Sequence, residues 1–162
     1  MRIAIFTDIH GNKPALEAIL EDIKKENIDE IICLGDTISL GPCSQECLDL
    51  LIENKVNMIL GNHELIIMRG DQIKPDITID EVKHNAWLNE NINNKHLNYL
   101  KKCPLYIEIE YHGKKVLFSH FLVKNANNQY PYYSLKIMNN DIKEIVDNLN
   151  YDYIFIGHDH NK

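Results

Sequence analysis

The sequence predicts an α/β fold built on a parallel core. From residue 2 to residue 60 the order is strand, helix, strand, helix, strand, which lays helices against a parallel sheet. The strands are short apolar runs of the buried kind. Each run stops at a turn bearing Gly, Asp or His, at the carboxyl-end position where open α/β sheets hold their ligands.

The elements follow in order. Residues 2–7 are apolar and β-branched and end in Asp8-Ile9-His10-Gly11, a strand followed by a turn. Residues 13–26 form a helix, with Pro14 in the tolerated first turn and Leu16, Ile19, Leu20 and Ile23 as apolar positions. Residues 30–34 are the second strand, stopped by Gly35-Asp36; Gly41-Pro42 then breaks the chain. Ser44 is placed to cap a helix over 45–54, whose Leu48, Leu51 and Ile52 share a face. Residues 56–60 are the third strand, ended by Gly61-Asn62-His63. A polar helical segment spans 80–102, with an apolar face from Trp87, Leu88, Leu97 and Leu100, and stops before Pro104. Residues 105–110 and 115–119 pair as a hairpin through His112-Gly113-Lys114. A polar, aromatic loop (125–133), a helix (134–149) and a last strand (153–156) broken by Gly157 complete the chain.

The 162 residues are expected to form one domain, 1–162. Apolar residues make up 44% and charged residues 25%, the composition of a soluble globular chain with a real core. No apolar run reaches the roughly 18 residues of a membrane helix, and the N-terminus lacks signal-peptide character. A cytoplasmic location is expected. The net charge is −7, and only Arg2 and Arg69 are arginines, so strong nucleic-acid binding is not expected. Cys33, Cys43, Cys47 and Cys103 fit neither a paired zinc motif nor a disulfide scaffold and read as free structural thiols. His84, His96 and His112 are expected on the surface. Tyr130, Tyr132 and Tyr133 are expected to pack under their loop.

The chemistry concentrates at strand ends. The first strand delivers Asp8 and His10, the second Asp36, the third Asn62 and His63, the hairpin strand His120, and the last strand His158 and His160. Any one of these is unremarkable in a turn. His158 and His160 alternate in an extended segment and so point the same way. Together they make a converging set of imidazoles and carboxylates, a donor mixture that suits Mn, Fe, Zn, Ni or Co better than Mg.

These motifs resemble the calcineurin-like metallophosphoesterases. The matching stretches are Asp8-Ile9-His10-Gly11, Gly35-Asp36-Thr37-Ile38-Ser39-Leu40-Gly41, Gly61-Asn62-His63-Glu64, Ser119-His120 and Gly157-His158-Asp159-His160. The stretch from Ala86 to Pro104 resembles the small bacterial phosphodiesterase-like branch. The resemblance implies a β-sandwich flanked by helices (α/β/β/α). It implies two divalent metal ions, Mn first among the candidates. Asp8, His10, Asp36 and His160 would hold one ion, and Asp36, Asn62, His120 and His158 the other, with Asp36 shared. A shared carboxylate keeps two cations about 4 Å apart. A hydroxide held between them would attack phosphorus in line with the leaving oxygen, and the ions would absorb the developing charge. The resemblance assigns His63 as general acid or charge stabiliser. Glu64 is expected either to orient His63 or to favour the first turn of a helix.

Three departures bear on specificity. The arginines that clamp substrate in the protein-phosphatase branch have no counterpart, since Thr37 follows Asp36 and Leu60 precedes Gly61. A phosphomonoester dianion gains most from such bidentate clamps, so a phosphodiester is the expected substrate, a phosphomonoester or a non-catalytic scaffold being the alternatives. Phe121-Leu122-Val123 stands where the small bacterial enzymes carry a Gly-rich turn. The chain also stops two residues past His160, where the family continues with further strands. Either the sequence is a truncated piece or the protein is shortened there; a missing strand would leave an open sheet edge and favour pairing with another chain, a homo-oligomer included.

Overall fold

The computed structural model describes residues 1–69, 78–121, 146–147 and 149–160. Among these are β1 (Ile3–Phe6), α1 (Lys13–Lys25), β2 (Glu30–Cys33), α2 (Ser44–Glu53), β3 (Asn57–Met58), α3 (Asn62–Arg69), α4 (Ile79–Asn91), α5 (Asn94–Leu100), β4 (Tyr106–Tyr111), β5 (Lys114–Ser119) and β6 (Tyr153–Phe155). Strands β1, β2 and β3 form a parallel sheet in that order, with Phe6 opposite Cys33 and Cys33 opposite Met58. Strands β4 and β5 are an antiparallel hairpin, and β6 adds to β5 in parallel. At the hairpin tip both His112 and Gly113 have positive φ (50° and 75°), the backbone a tight two-residue turn requires.

Side-chain alternation sorts the strands into layers. Ile3, Ile5 and Ile32 of the first sheet face Ile107, Ile109, Val116 and Phe118 of the hairpin, with Leu34 and Ile59 between them. Their neighbours Phe6, Ile31, Cys33 and Met58 point the other way. They pack on Leu16 and Leu20 of α1, Leu48 and Leu51 of α2, Leu65 of α3, Leu88 of α4 and Leu100 of α5. The result is helices, sheet, sheet, the β-sandwich that the resemblance implies; a helix layer on the outer face of the second sheet is not among the described residues. Phe155 of β6 stacks on Phe118, ring centroids 5.3 Å apart. No helix among the described residues is long and apolar enough to cross a membrane.

Several local expectations are corrected. The polar segment at 80–102 is two helices. Thr78 and Glu81 form a capping box at the start of α4, and Asn93 accepts from the His96 N–H to start α5. Trp87 is 51% exposed, so it does not belong to the apolar face that buries Leu88 and Leu100. His96 is 1% exposed. Its two ring nitrogens lie 3.2 Å from Gln45 Oε1 and 3.0 Å from Asp49 Oδ1, and these bonds make its burial between α2 and α5 tolerable. Ser44 does not cap α2 from outside; it is the first helical residue, and its hydroxyl accepts from the Ser39 N–H. The third strand is only two residues long, because the Leu60 N–H leaves the sheet for the Pro104 carbonyl.

The cysteines are free, with Cys33 and Cys47 buried. Burial pushes the Cys33, Cys47 and Cys103 thiols up to about 12, so they are unreactive at neutral pH. The aromatic loop at 125–133, with Tyr130, Tyr132 and Tyr133, lies outside the described residues, as does most of the helix expected at 134–149.

Candidate metal centre

The strand ends of both sheets open on one site. β1 ends two residues before Asp8, β2 three before Asp36, and β5 one before His120. Helix α3 begins at Asn62 and brings His63 and Glu64 with it. β6 is followed by Gly157, which has no room for a side chain. A Cβ there would overlap Thr7 Oγ1 and lie 2.8 Å from Asp8 Oδ2 and 3.1 Å from His120 Nδ1. Asp8, His10, Asp36 and His158 all adopt left-handed φ (56°, 49°, 50° and 70°). For residues other than glycine this conformation costs about 1–3 kcal/mol each, and such strain collects at functional sites.

Three overlapping groups of donor atoms lie within 4.8 Å of one another: Asp8, His10 and His160; His10, Asp36 and His63; and Asp36, His120 and His158. In the first group His160 Nε2 is 3.0 Å from Asp8 Oδ1 and 3.4 Å from His10 Nε2. In the last group His120 Nε2 is 3.1 Å from Asp36 Oδ2 and 3.2 Å from Asn62 Oδ1. Asp36 Oδ2 is also 4.0 Å from His10 Nε2, so it lies between the two sets. The other oxygen, Oδ1, accepts from the His63 backbone N–H at 2.9 Å. All the residues expected at the site are thus brought together.

The chemistry of the donors tests whether a cation fits. His120 Nδ1 lies 2.7 Å from the Leu34 carbonyl, which can only accept, so that nitrogen carries the hydrogen. In the neutral ring Nε2 is then a bare lone pair. It faces a carboxylate oxygen and an amide oxygen, both acceptors. Three acceptors at about 3 Å repel unless a proton or a cation sits among them. A backbone carbonyl that fixes the tautomer from behind is the usual support for a metal-ligating histidine. The residues therefore fit divalent metal ions.

Without a cation among these atoms, protons would relieve the same repulsion. Burial opposes charge on His120, but the Asp36 carboxylate outweighs it and holds the imidazole above its ordinary value. Burial opposes charge on His10 too, and the hydrogen bond and charge of Asp8, together with the Asp36 charge, raise it. Burial works against the Asp8 carboxylate, yet its bonds to His10 and Thr7 hold it well below the usual range. Asp36 is also lowered: burial opposes its charge, and the His120 imidazole beside it prevails. Burial, and then the Asp36 charge, push Glu64 up to about 7, while the N–H groups of Gly61 and Asp36 pull the other way.

The site is graded in depth. Asp36 and His120 are buried on its floor, and the His160 side chain is 60% exposed at its mouth. Phe121 closes one wall, its ring centroid 4.7 Å from His120 and 4.9 Å from His158.

The calcineurin-like phosphoesterase family model matches residues 1–162. The chain belongs to that family. An uncharacterized protein of Methanocaldococcus jannaschii is 35% identical over 160 residues, covering 98% of this chain and 62% of that protein. The metallophosphoesterase from Sphaerobacter thermophilus is 30% identical with a TM-score of 0.55, over 72% of this chain and 46% of that one. A structure described provisionally as a diadenosine tetraphosphatase is 25% identical with a TM-score of 0.62, over 80% of this chain and 55% of that one. The chain spans less than two thirds of each of these relatives.

Some neighbours of the site had no signal in the sequence. Thr7 Oγ1 donates to Asp8 Oδ2 at 2.6 Å, and the His158 N–H donates to the same oxygen at 3.0 Å. The Leu34 carbonyl behind His120 is a backbone group, which no residue type announces. Phe121 was visible as a departure from the family pattern, though not as a wall against two imidazoles.

Proposed function

We propose that this phosphoesterase-family chain hydrolyses phosphodiesters with two divalent metal ions. The observation that carries the reading is Asp36 Oδ2, which lies between His120 on one side and His10 on the other. Asp8, His10 and His160 would hold one ion with it, and Asn62, His120 and His158 the other. When bound, the ions supply Lewis acidity toward the phosphoryl oxygens and lower the pKa of a water nucleophile to about 7. Imidazoles in both sets favour Mn, with Fe, Zn, Ni and Co as alternatives.

The chain's own residues account for the rest. The neutral amide of Asn62 leaves net positive charge at the site for an anionic substrate. His63 stands edge-on to His10, ring centroids 4.9 Å apart, and is the proton donor to the leaving oxygen. Neither arginine stands at a clamping position beside Asp36 or Gly61, where the sequence has Thr37 and Leu60. The Arg2 guanidinium pairs with Glu26. Arg69 ends α3, about 9 Å along the helix axis from His63. A monoester dianion would go without its bidentate partner, so a diester is the better substrate.

Metal analysis followed by turnover of bis-p-nitrophenyl and p-nitrophenyl phosphate with Mn tests the reading. Cleavage of the diester in preference to the monoester is expected, and loss of both on Asp36→Asn. A strong monoester preference would make the chain a phosphatase. Metal uptake without turnover of any ester would make it a scaffold. The substrate panel includes 2′,3′-cyclic nucleotides and diadenosine tetraphosphate, for which one similar structure is named.

A further inference from the structure

Glu64 is fully buried, and its carboxylate is engaged on every side. Oε1 accepts from the backbone N–H groups of Thr37 at 2.8 Å and Ile38 at 3.2 Å. Oε2 accepts from those of Asp36 at 2.9 Å and Gly61 at 2.8 Å. A carboxylate offers about four lone-pair positions, and these four donors fill them. None is left to orient His63. The bond to Gly61 is the reach-back half of a capping box for α3. The other three bonds tie α3 to a different loop, the one that leaves β2.

That loop needs holding. Asp36 sits at a φ of 50°, and the two turns touch backbone to backbone. A Cβ on Gly35 would lie 2.5 Å from the Gly61 nitrogen, and a Cβ on Gly61 would lie 2.5 Å from the Asp36 nitrogen. Asp36 is thus gripped twice from the start of α3, by the His63 N–H on its carboxylate and by Glu64 on its own N–H. One loop delivers Asp36 and the other delivers Asn62, so their spacing depends on what joins them.

Resting on the two-metal reading above, we propose that Glu64 is a positioning residue, its carboxylate clamping the Asp36–Ile38 backbone to Gly61 and so setting where Asp36 and Asn62 present their oxygens to a metal.

The test uses the full chain and the variants Glu64→Gln and His63→Ala. Glutamine keeps the shape, but its NH2 group meets two N–H donors head-on. Three readouts are compared: amide hydrogen exchange of the metal-free protein, Mn binding, and kcat at saturating Mn. For Glu64→Gln, faster exchange at Asp36, Thr37, Ile38 and Gly61 is expected. Mn binding should weaken about 10- to 100-fold, the usual effect of losing a group that orients ligands. Saturating Mn should restore most of kcat. His63→Ala should do the reverse, leaving Mn affinity intact and losing kcat at any Mn concentration. The proposal is overturned if Glu64→Gln leaves exchange and Mn affinity unchanged, or if it reproduces the His63→Ala pattern. Should Glu64→Gln fail to fold, exchange in the wild-type protein decides: the four amides must be protected as a set, and free exchange at them overturns the clamp. Wild-type protein that binds no metal while keeping this protection would defeat the two-metal reading and leave the clamp standing.

Discussion

Asp36 is held from several directions at once, and the residues around it divide by what they touch. His63 contributes a backbone bond to the site as well as its ring, so truncating the ring should spare the architecture. His63→Ala is expected to lower kcat about 10²- to 10⁴-fold, the worth of a placed general acid, with unchanged Mn stoichiometry by elemental analysis. Survival of full turnover would remove His63 from the chemistry. Protons and metals compete for the same atoms. His10 and His120 have raised pKa values, so the stability they contribute is complete below the ordinary value of 6.5 and is lost as pH rises through the raised one. Asp8, lowered from 3.8, contributes above its ordinary value and is lost only in strong acid. The metal-free protein should therefore melt at a higher temperature at about pH 5.5 than at about pH 8. Mn should reverse the order, because it binds the deprotonated groups. A metal-free melting temperature that does not fall between these two pH values would contradict this assignment of charge.

At the scale of elements, the site depends on turns with no spare room. Gly157→Ala would drive a methyl group into Thr7, Asp8 and His120, which belong to the ends of β1 and β5. Mn affinity should fall about 10- to 100-fold while far-ultraviolet circular dichroism stays unchanged; undiminished affinity would mean that the β6 turn is free to move. The sandwich interior makes a separate demand. Phe118 is fully buried between the sheets and stacked on Phe155. Phe118→Ala should cost about 3–5 kcal/mol in urea unfolding, the usual range for an aromatic removed from a core. The strands were legible because their apolar runs are short and end at turns bearing Gly, Asp or His. The break between α4 and α5 was less so, because the polar stretch around Asn91–Asn93 reads equally as continuous helix or as a stop and cap. The burial of His96 was not legible, since its partners Gln45 and Asp49 lie about fifty residues earlier in the chain.

Across the molecule, among the described residues, the strand ends of both sheets and the start of α3 converge on one open-mouthed site. Its depth gradient predicts the order of metal loss. The Asp8, His10 and His160 group lies at the mouth, and the Asp36, His120 and His158 group on the floor. Chelator should therefore remove one equivalent of Mn quickly and the second slowly, and a single-phase loss of both would argue against two distinct environments. Because Asp8, Asp36, His120 and His158 come from four separate strand ends, bound metal should also tie the two sheets together. Mn at about a hundred times its dissociation constant should add about 2.7 kcal/mol per site to unfolding.

The order of strands and helices, the strand ends that carry the imidazoles and carboxylates, and the family resemblance were all legible in the residues. These are local matters: apolar periodicity, Gly at sharp turns, and residue type at a fixed offset from a strand. Which oxygen of Asp36 lies between the two donor sets, that Glu64 spends its carboxylate on backbone amides, and that Phe121 stands against two imidazoles emerge only from the folded chain. Those facts depend on where separate segments meet: Asp36 with His120, Glu64 with the loop after β2, and Phe121 with His158. A hydrogen bond to a backbone amide leaves no trace in the identity of the residue that donates it.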